Sequence, residues 1–398
     1  MTEFSARIPF MRDAADVVRV LFESVTDPGT ITFAAGAPAK EALPVDEAAE
    51  ISREIFSKEG RGFQMLQYGN PMGLPDLRQV VVDHLLRPRG LEAKYENIII
   101  TNGGMEGLSM TCHLYLDPGD VVLVESPTFV QMIETFKMFQ ARCQAVETDE
   151  GGLVIEALEE NIKKHHPKII YVIPTFQNPS GRTTPLERRR AIAELAARYD
   201  VMVIEDDPYC ELRYNGQALP TIKSFDQTGH VVYANSFSKI FSPGCRLGYV
   251  YADKEIADRM YDVKTAYNSL TNVHTQVICA EFFNRGLYPA HLERNKAIHR
   301  ERRDAMMASL KAHMPQGVEW VYPDGGLFTW ATLPGGLSTT ELLPEAMKAG
   351  VTYLPGHQFF TEGQPIRDDS MRLSYGQMPP EAIDRGVKIL AEVIAAKL

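Results

Sequence analysis

The sequence predicts an α/β fold: a large domain built on a mostly parallel central sheet, followed by a smaller α+β domain. Two patterns carry this. Between about residues 60 and 280, short apolar β-rich runs alternate with longer helical patterns, as expected for parallel strands covered on both faces. From about residue 281 the texture changes to a long charged amphipathic helix, short strands and a terminal helix.

Taken in order, the first 35 residues read as a helix over about Asp13–Ser24 and a short strand over Thr30–Ala34. Both are expected to pack with the smaller domain, so residues 1–60 form an N-terminal segment attached to it. Residues 61–280 are the large domain, with strands at Ile98–Thr101, Val121–Glu125, Ile169–Ile173, Val201–Glu205, Val231–Asn235 and Leu247–Tyr251. Helical spacing between them is clearest over Leu186–Tyr199, with apolar residues at 186, 191, 192, 195 and 196. Residues 281–398 are the smaller domain: a helix over Pro289–His313, strands at Val318–Tyr322, Leu327–Leu333 and Val351–Tyr353, and a last helix near Glu381–Lys397.

Composition narrows the function classes. A chain of 398 residues can bury a large core, and a net charge of −11 without a basic tract argues against nucleic acid or an anionic membrane surface. The longest apolar runs are strand-length, far short of a membrane span, and the N-terminus lacks the layout of a secretory signal. Five scattered cysteines with no C-x-x-C pair point to reduced thiols and a cytoplasmic location. The histidines show no metal-ligand spacing, so no metal is expected.

Chemistry concentrates where strands end. Lys239 follows the strand Val231–Asn235 within Ser236-Phe237-Ser238-Lys239, and Arg246 lies seven residues on. A buried amine there loses part of its preference for charge and becomes a nucleophile toward carbonyls. Taken alone, the same pattern is a surface loop lysine. Thr101-Asn102-Gly103-Gly104-Met105 turns a strand into a helix, and exposed N–H groups there cradle a phosphate, although most such turns bind nothing. Phe129, after Pro127-Thr128, either stacks on a flat cofactor or fills the core. Asn178, between Gln177 and Pro179, either donates to a phenolate oxygen or makes an Asn-Pro turn. In Glu205-Asp206-Asp207-Pro208-Tyr209, a carboxylate at a buried strand end can hold a pyridine nitrogen protonated and Tyr209 can bond the same ring's phenolate oxygen; the alternative is a turn with two acids. Arg372, in Ser370-Met371-Arg372-Leu373-Ser374-Tyr375, needs a carboxylate partner if it is buried.

Together, N-P-x-G, D-D-x-Y, S-x-S-K-x-x-x-P-G-x-R-x-G and R-L-S-Y resemble the fold-type I pyridoxal-phosphate-dependent transferases, class I/II aminotransferases. Within them the chain is most similar to the 2-aminoadipate/kynurenine aminotransferase (LysN-like) branch, which is also the enzymatic half of MocR-type regulators. The resemblance runs from about Arg19 to the C-terminus. It implies pyridoxal 5′-phosphate as cofactor, with Lys239 as the Schiff-base lysine and Asp206 on the pyridine nitrogen. Asn178 and Tyr209 would bond the ring oxygen, and Phe129 would stack on the ring. Ser236, Ser238, Arg246 and the N–H groups around Gly103, Gly104 and Met105 would hold the phosphate. Tyr68 would reach the phosphate of a neighbouring subunit, which implies a homodimer with shared sites. Arg372, helped by Gly36, would bind the substrate α-carboxylate, and Arg19 would meet a distal acid group.

Two departures stand out. Relatives usually carry Ser-Gln at Gly104-Met105, so a phosphate hydroxyl is missing here, and Phe129 replaces a tyrosine common elsewhere. The implied reaction is amino-group exchange between an L-amino acid and a 2-oxo acid, with glutamate/2-oxoglutarate as one couple. An aromatic or 2-aminoadipate-like amino acid is the other. Alternatives are β-elimination or decarboxylation at the same site, and a non-catalytic ligand-sensing relative.

Overall fold

The computed structural model describes residues 5, 7, 8 and 29–398. Arg19 and the expected helix over Asp13–Ser24 lie outside the described residues.

Fifteen strands form four sheets among the described residues. In chain order they are β1 (Ile31–Thr32), β2 (Ile98–Thr101), β3 (Val121–Val124), β4 (Arg142–Ala145), β5 (Thr148–Asp149) and β6 (Gly152–Leu153). Next come β7 (Ile169–Val172), β8 (Met202–Asp206), β9 (Val231–Ser236) and β10 (Gly248–Tyr251). The last are β11 (Glu319–Trp320), β12 (Phe328–Thr332), β13 (Val351–Thr352), β14 (Leu354–Pro355) and β15 (Ser370–Ser374).

The main sheet has the order β2-β10-β9-β8-β7-β3-β4. All its pairings are parallel except those of β10, which is antiparallel to both neighbours. Because β10 alone is reversed, the carboxyl ends of β2, β3, β7, β8 and β9 share one edge. The apolar runs are continuous because both faces are covered: Val122, Val124, Ile169 and Tyr171 enter one cluster, and Val121, Leu123, Ile170 and Val172 enter another.

All six strands expected over 98–251 are present, with ends shifted by a residue, and the helix Leu186–Tyr199 stands as expected. Edge strand β4 was not anticipated: Arg142-Cys143-Gln144-Ala145 has one polar face and only half the apolar signal.

A second, antiparallel sheet has the order β11-β12-β15-β14. The expected strand Val351–Tyr353 is not part of it; β13 pairs in parallel with β1 instead. Residues 29–60 divide between the two sheets. Ile31 and Phe33 pack with the second sheet, but Ile51 and Ile55, on the helix Val45–Ile55, join Leu77, Tyr249 and Phe282 beside the main sheet. The long helix Tyr288–His313 lies against the terminal helix Pro380–Ala395. Among the described residues no helix is long and apolar enough to cross a membrane, and no cluster of three or more His, Cys, Asp or Glu gathers to hold a metal.

Candidate active site

The shared carboxyl edge of the parallel strands is the usual place for a ligand crevice in open α/β sheets, since loops diverge there. Here β9 ends at Ser236 and the chain turns through a short 3-10 segment, Phe237–Lys239. Ser236 caps that turn: its Oγ accepts from the Ser238 N–H at 3.1 Å and lies 2.8 Å from Ser238 Oγ. The turn delivers Lys239, whose Nζ donates to the Gly36 carbonyl at 2.7 Å. Burial, then the charges of Arg372 and Arg246, push the Lys239 amine down to about 8.

Beside it, β2 ends at Thr101 and the chain enters the helix Gly104–Tyr115. Gly103 has φ 80°, and a Cβ there would run into the Arg246 guanidinium, so only glycine lets the turn approach this arginine. The turn is fixed from behind by Glu106, which accepts from the Asn102 N–H at 2.5 Å and from Lys264 Nζ at 2.8 Å. Met105 leans its side chain against the core, leaving the helix start to act through its backbone.

At the end of β8, Asp206 is buried, and Tyr171 Oη on β7 donates to its Oδ2 at 2.7 Å. Burial pushes the Asp206 carboxyl up to about 7; the Tyr171 hydrogen bond opposes this and Asp207 adds to it. Asp207 is engaged elsewhere: its Oδ2 pairs with Arg89 at 3.0 Å, and Arg89 also reaches Glu211 at 2.9 Å. The two acids therefore have separate tasks.

Tyr209 is buried edge-on to Phe328, with ring centroids 5.5 Å apart. Asn178 Oδ1 accepts from Arg372 Nη1 at 2.7 Å, and Arg372 Nη2 donates to the Ala34 carbonyl at 2.6 Å. The Arg372 guanidinium sits 4.3 Å from the Phe328 ring centroid and 5.4 Å from that of Phe359. Its Nε is buried without a hydrogen-bond partner among the described residues. Burial lowers its pKa to about 10, against the pull of Tyr209. Such an arginine is poised for an external carboxylate.

Phe129 precedes the helix Val130–Met138 and packs against two apolar clusters. Gln177 Nε2 donates to the Pro127 carbonyl at 2.7 Å, tying the Phe129 loop to the Asn178 loop. Gly36 meets Lys239 rather than Arg372; the carbonyl on Arg372 belongs to Ala34. Tyr68 stands apart, 86% exposed.

Tyr171, Glu106, Lys264 and Arg89 escaped the sequence reading. Tyr171 and Lys264 sit mid-element in runs that look like core or charged helix face. Only the fold brings them to Asp206 and the glycine turn.

These residues fit pyridoxal phosphate. Asp206 is a buried acid for a ring nitrogen, Lys239 is an amine of lowered basicity, and Gly103 with Arg246, Ser236 and Ser238 forms an anion cradle that a Cβ would fill.

Residues 28–390 match the family model described as aminotransferase class I and II. An aromatic-amino-acid aminotransferase 1 from Thermococcus litoralis is 35% identical over 96% of this chain and 92% of that protein. A 2-aminoadipate transaminase from Thermus thermophilus is 33% identical over 97% of this chain and 96% of that one. Among solved structures, a kynurenine aminotransferase from Pyrococcus horikoshii in complex with PMP superposes with a TM-score of 0.93. It is 35% identical, over 99% of this chain and 97% of that one.

Proposed function

Because this chain belongs to the class I and II aminotransferases, with their fold-type I architecture and pyridoxal phosphate as cofactor, we propose that it moves amino groups between L-amino acids and 2-oxo acids at the site of Lys239. Glutamate/2-oxoglutarate is one couple. The other substrate is an aromatic or 2-aminoadipate-like amino acid. The observation that carries this reading is Arg372: a buried guanidinium whose Nε has no hydrogen-bond partner among the described residues, flanked by the rings of Phe328 and Phe359 and bonded to Asn178. It offers a carboxylate a charge partner and offers an apolar side chain aromatic walls.

When bound, the cofactor supplies an electron sink for the pair left at the substrate Cα. Asp206 would pair with the ring nitrogen, and the Tyr171 hydrogen bond favours its anionic form. Asn178 and Tyr209 would hold the ring oxygen. Ser236, Ser238, Arg246 and the N–H groups at Gly103, Gly104 and Met105 would hold the phosphate, with Phe129 against the ring. Lys239 would be the general base: burial and the nearby arginines hold its amine at about 8, well below an ordinary lysine, so a far larger share of it is neutral near neutral pH and able to take the substrate's Cα proton.

Tyr68, exposed on the single chain beside Phe63 and Leu66, belongs to a homodimer in which it completes the neighbouring subunit's phosphate site. Arg19 would meet a distal acid group, and the five free thiols suit a cytoplasmic enzyme.

The test is a panel of amino acids mixed in single turnovers with the cofactor-loaded protein, following loss of the bound cofactor's visible absorbance. Glutamate and at least one aromatic or 2-aminoadipate-like amino acid should bleach it within seconds, with the 2-oxo acid released stoichiometrically. Ammonia or carbon dioxide release without an oxo-acid acceptor would replace this reading with a lyase or a decarboxylase.

A further inference from the structure

Three of the buried polar side chains on the helix Tyr288–His313, Asn295, His299 and Arg302, stand at i, i+4 and i+7, hence on one face. Each reaches a different wall of the site. Asn295 Nδ2 donates to the Lys239 carbonyl at 2.9 Å. His299 Nε2 lies 3.1 Å from the Ala39 backbone nitrogen, and its Nδ1 lies 2.9 Å from the Asn295 carbonyl. Arg302 donates to the carbonyls of Gly376 and Gln377, each at 2.7 Å, and pairs with Glu41 at 2.8 Å.

The His299 tautomer follows from its partners. A backbone N–H only donates, so Nε2 accepts from Ala39. A carbonyl only accepts, so the proton sits on Nδ1. Burial holds the imidazole down to about 4, so it is neutral at working pH; Arg302, Lys239 and Glu41 are the charged groups that bear on it.

Residues 34–41, held by this face, cover the site. The Ala34 carbonyl accepts from Arg372 and the Gly36 carbonyl from Lys239. Gly376 and Gln377, on the other side of Arg302, follow β15, the strand that carries Arg372. One helix face therefore grips the lysine turn, the covering segment and the end of the arginine strand.

We propose that the Asn295–His299–Arg302 stripe is a positioning device for amino-group transfer, and that His299 is the residue that seats residues 34–41 over Lys239 and Arg372. The inference rests on the aminotransferase reading for its kinetic consequence, but its structural part stands independently. Both ring nitrogens of His299 are taken by backbone groups. The residue acts by keeping the carbonyls of Ala34 and Gly36 in place, which fixes how Arg372 and Lys239 meet a substrate.

The experiment compares His299→Asn with His299→Gln, as cofactor-loaded and cofactor-free protein. Asparagine keeps a donor for the Asn295 carbonyl but falls short of Ala39; glutamine reaches it with Oε1. Amide exchange across residues 34–41 should quicken at least about 10-fold in His299→Asn and return toward the parent rate in His299→Gln. KM for the amino acid should rise about 10-fold while kcat changes less than about threefold, and glutamine should reverse this. Unchanged exchange in His299→Asn would overturn the proposal, as would a fall in kcat at constant KM. If amino-group transfer itself is absent, the exchange comparison still decides the seating role. Should His299→Asn not fold, His299→Ala removes the same acceptor without adding bulk and must give the same quickened exchange.

Discussion

Replacing Tyr171 by Phe isolates the control of Asp206. The phenol donates to Asp206 Oδ2 at 2.7 Å with both groups buried, and the ring packs edge-on against Phe136, so removing one oxygen leaves the packing intact. A hydrogen bond to a charged acceptor contributes about 1.5–3 kcal/mol, which corresponds to about one to two pH units in the acidity of the carboxyl. Asp206 already lies at about 7 through burial, so the variant should carry it to about 8–9. The sign is fixed by linkage. A carboxyl raised above its ordinary 3.8 favours the folded protein below that value and loses this contribution as pH climbs through the folded value; without the phenol the loss extends further upward. Cofactor affinity depends on the anion, because the ring nitrogen pairs with it. Titrating cofactor-free protein with pyridoxal phosphate between pH 6 and 9 should show the tight-binding limb displaced upward by about one to two pH units, with affinity at pH 7.5 reduced roughly 10-fold. An unmoved limb, with the variant folded, would mean that Tyr171 does not tune Asp206 and that the acid is not the ring's partner.

Four further outcomes follow from the geometry. Gly104→Ser should be accepted and should tighten cofactor binding roughly 3–10-fold, the worth of one phosphate hydrogen bond, because a Cβ there meets only Ser236 Cβ at 3.5 Å and the Asn235 carbonyl at 3.8 Å; equilibrium titration reads it. Gly103→Ala, one residue earlier, should lose about 1–3 kcal/mol in denaturant unfolding and bind cofactor poorly, since its φ of 80° and the Arg246 contact both penalise a side chain. Arg372→Leu should raise KM for amino acids at least about 100-fold, the loss of a buried charge-assisted carboxylate contact. Tyr68→Ala mixed with Lys239→Ala should regain activity through hybrid dimers that hold one intact site, whereas neither variant alone turns over normally; no recovery on mixing would remove Tyr68 from the neighbour's site.

The fold was legible where burial makes a strand uniformly apolar. Ile98–Thr101 and Ile169–Val172 announce themselves because both faces are covered, while β4 at the sheet edge does not. The candidate site was legible where one residue type at a strand's end has few other uses, as with Lys239, Asp206 and Arg372. What sequence could not supply was the reach between distant elements. Tyr171 meets Asp206 because β7 and β8 are neighbours, Arg89 finds Asp207 across 118 positions, and the Ala34 carbonyl meets Arg372 across 338. The split of residues 29–60 has the same origin: the pattern of Val45–Ile55 shows an apolar face but not which sheet it covers.

The central claim is that Lys239 is the amine that carries the cofactor. Borohydride reduction of the loaded protein, followed by peptide mapping, tests it directly. The account predicts a single phosphopyridoxyl modification, on Lys239, and no turnover after Lys239→Ala. Modification of a different lysine, or normal steady-state turnover in Lys239→Ala, would contradict it.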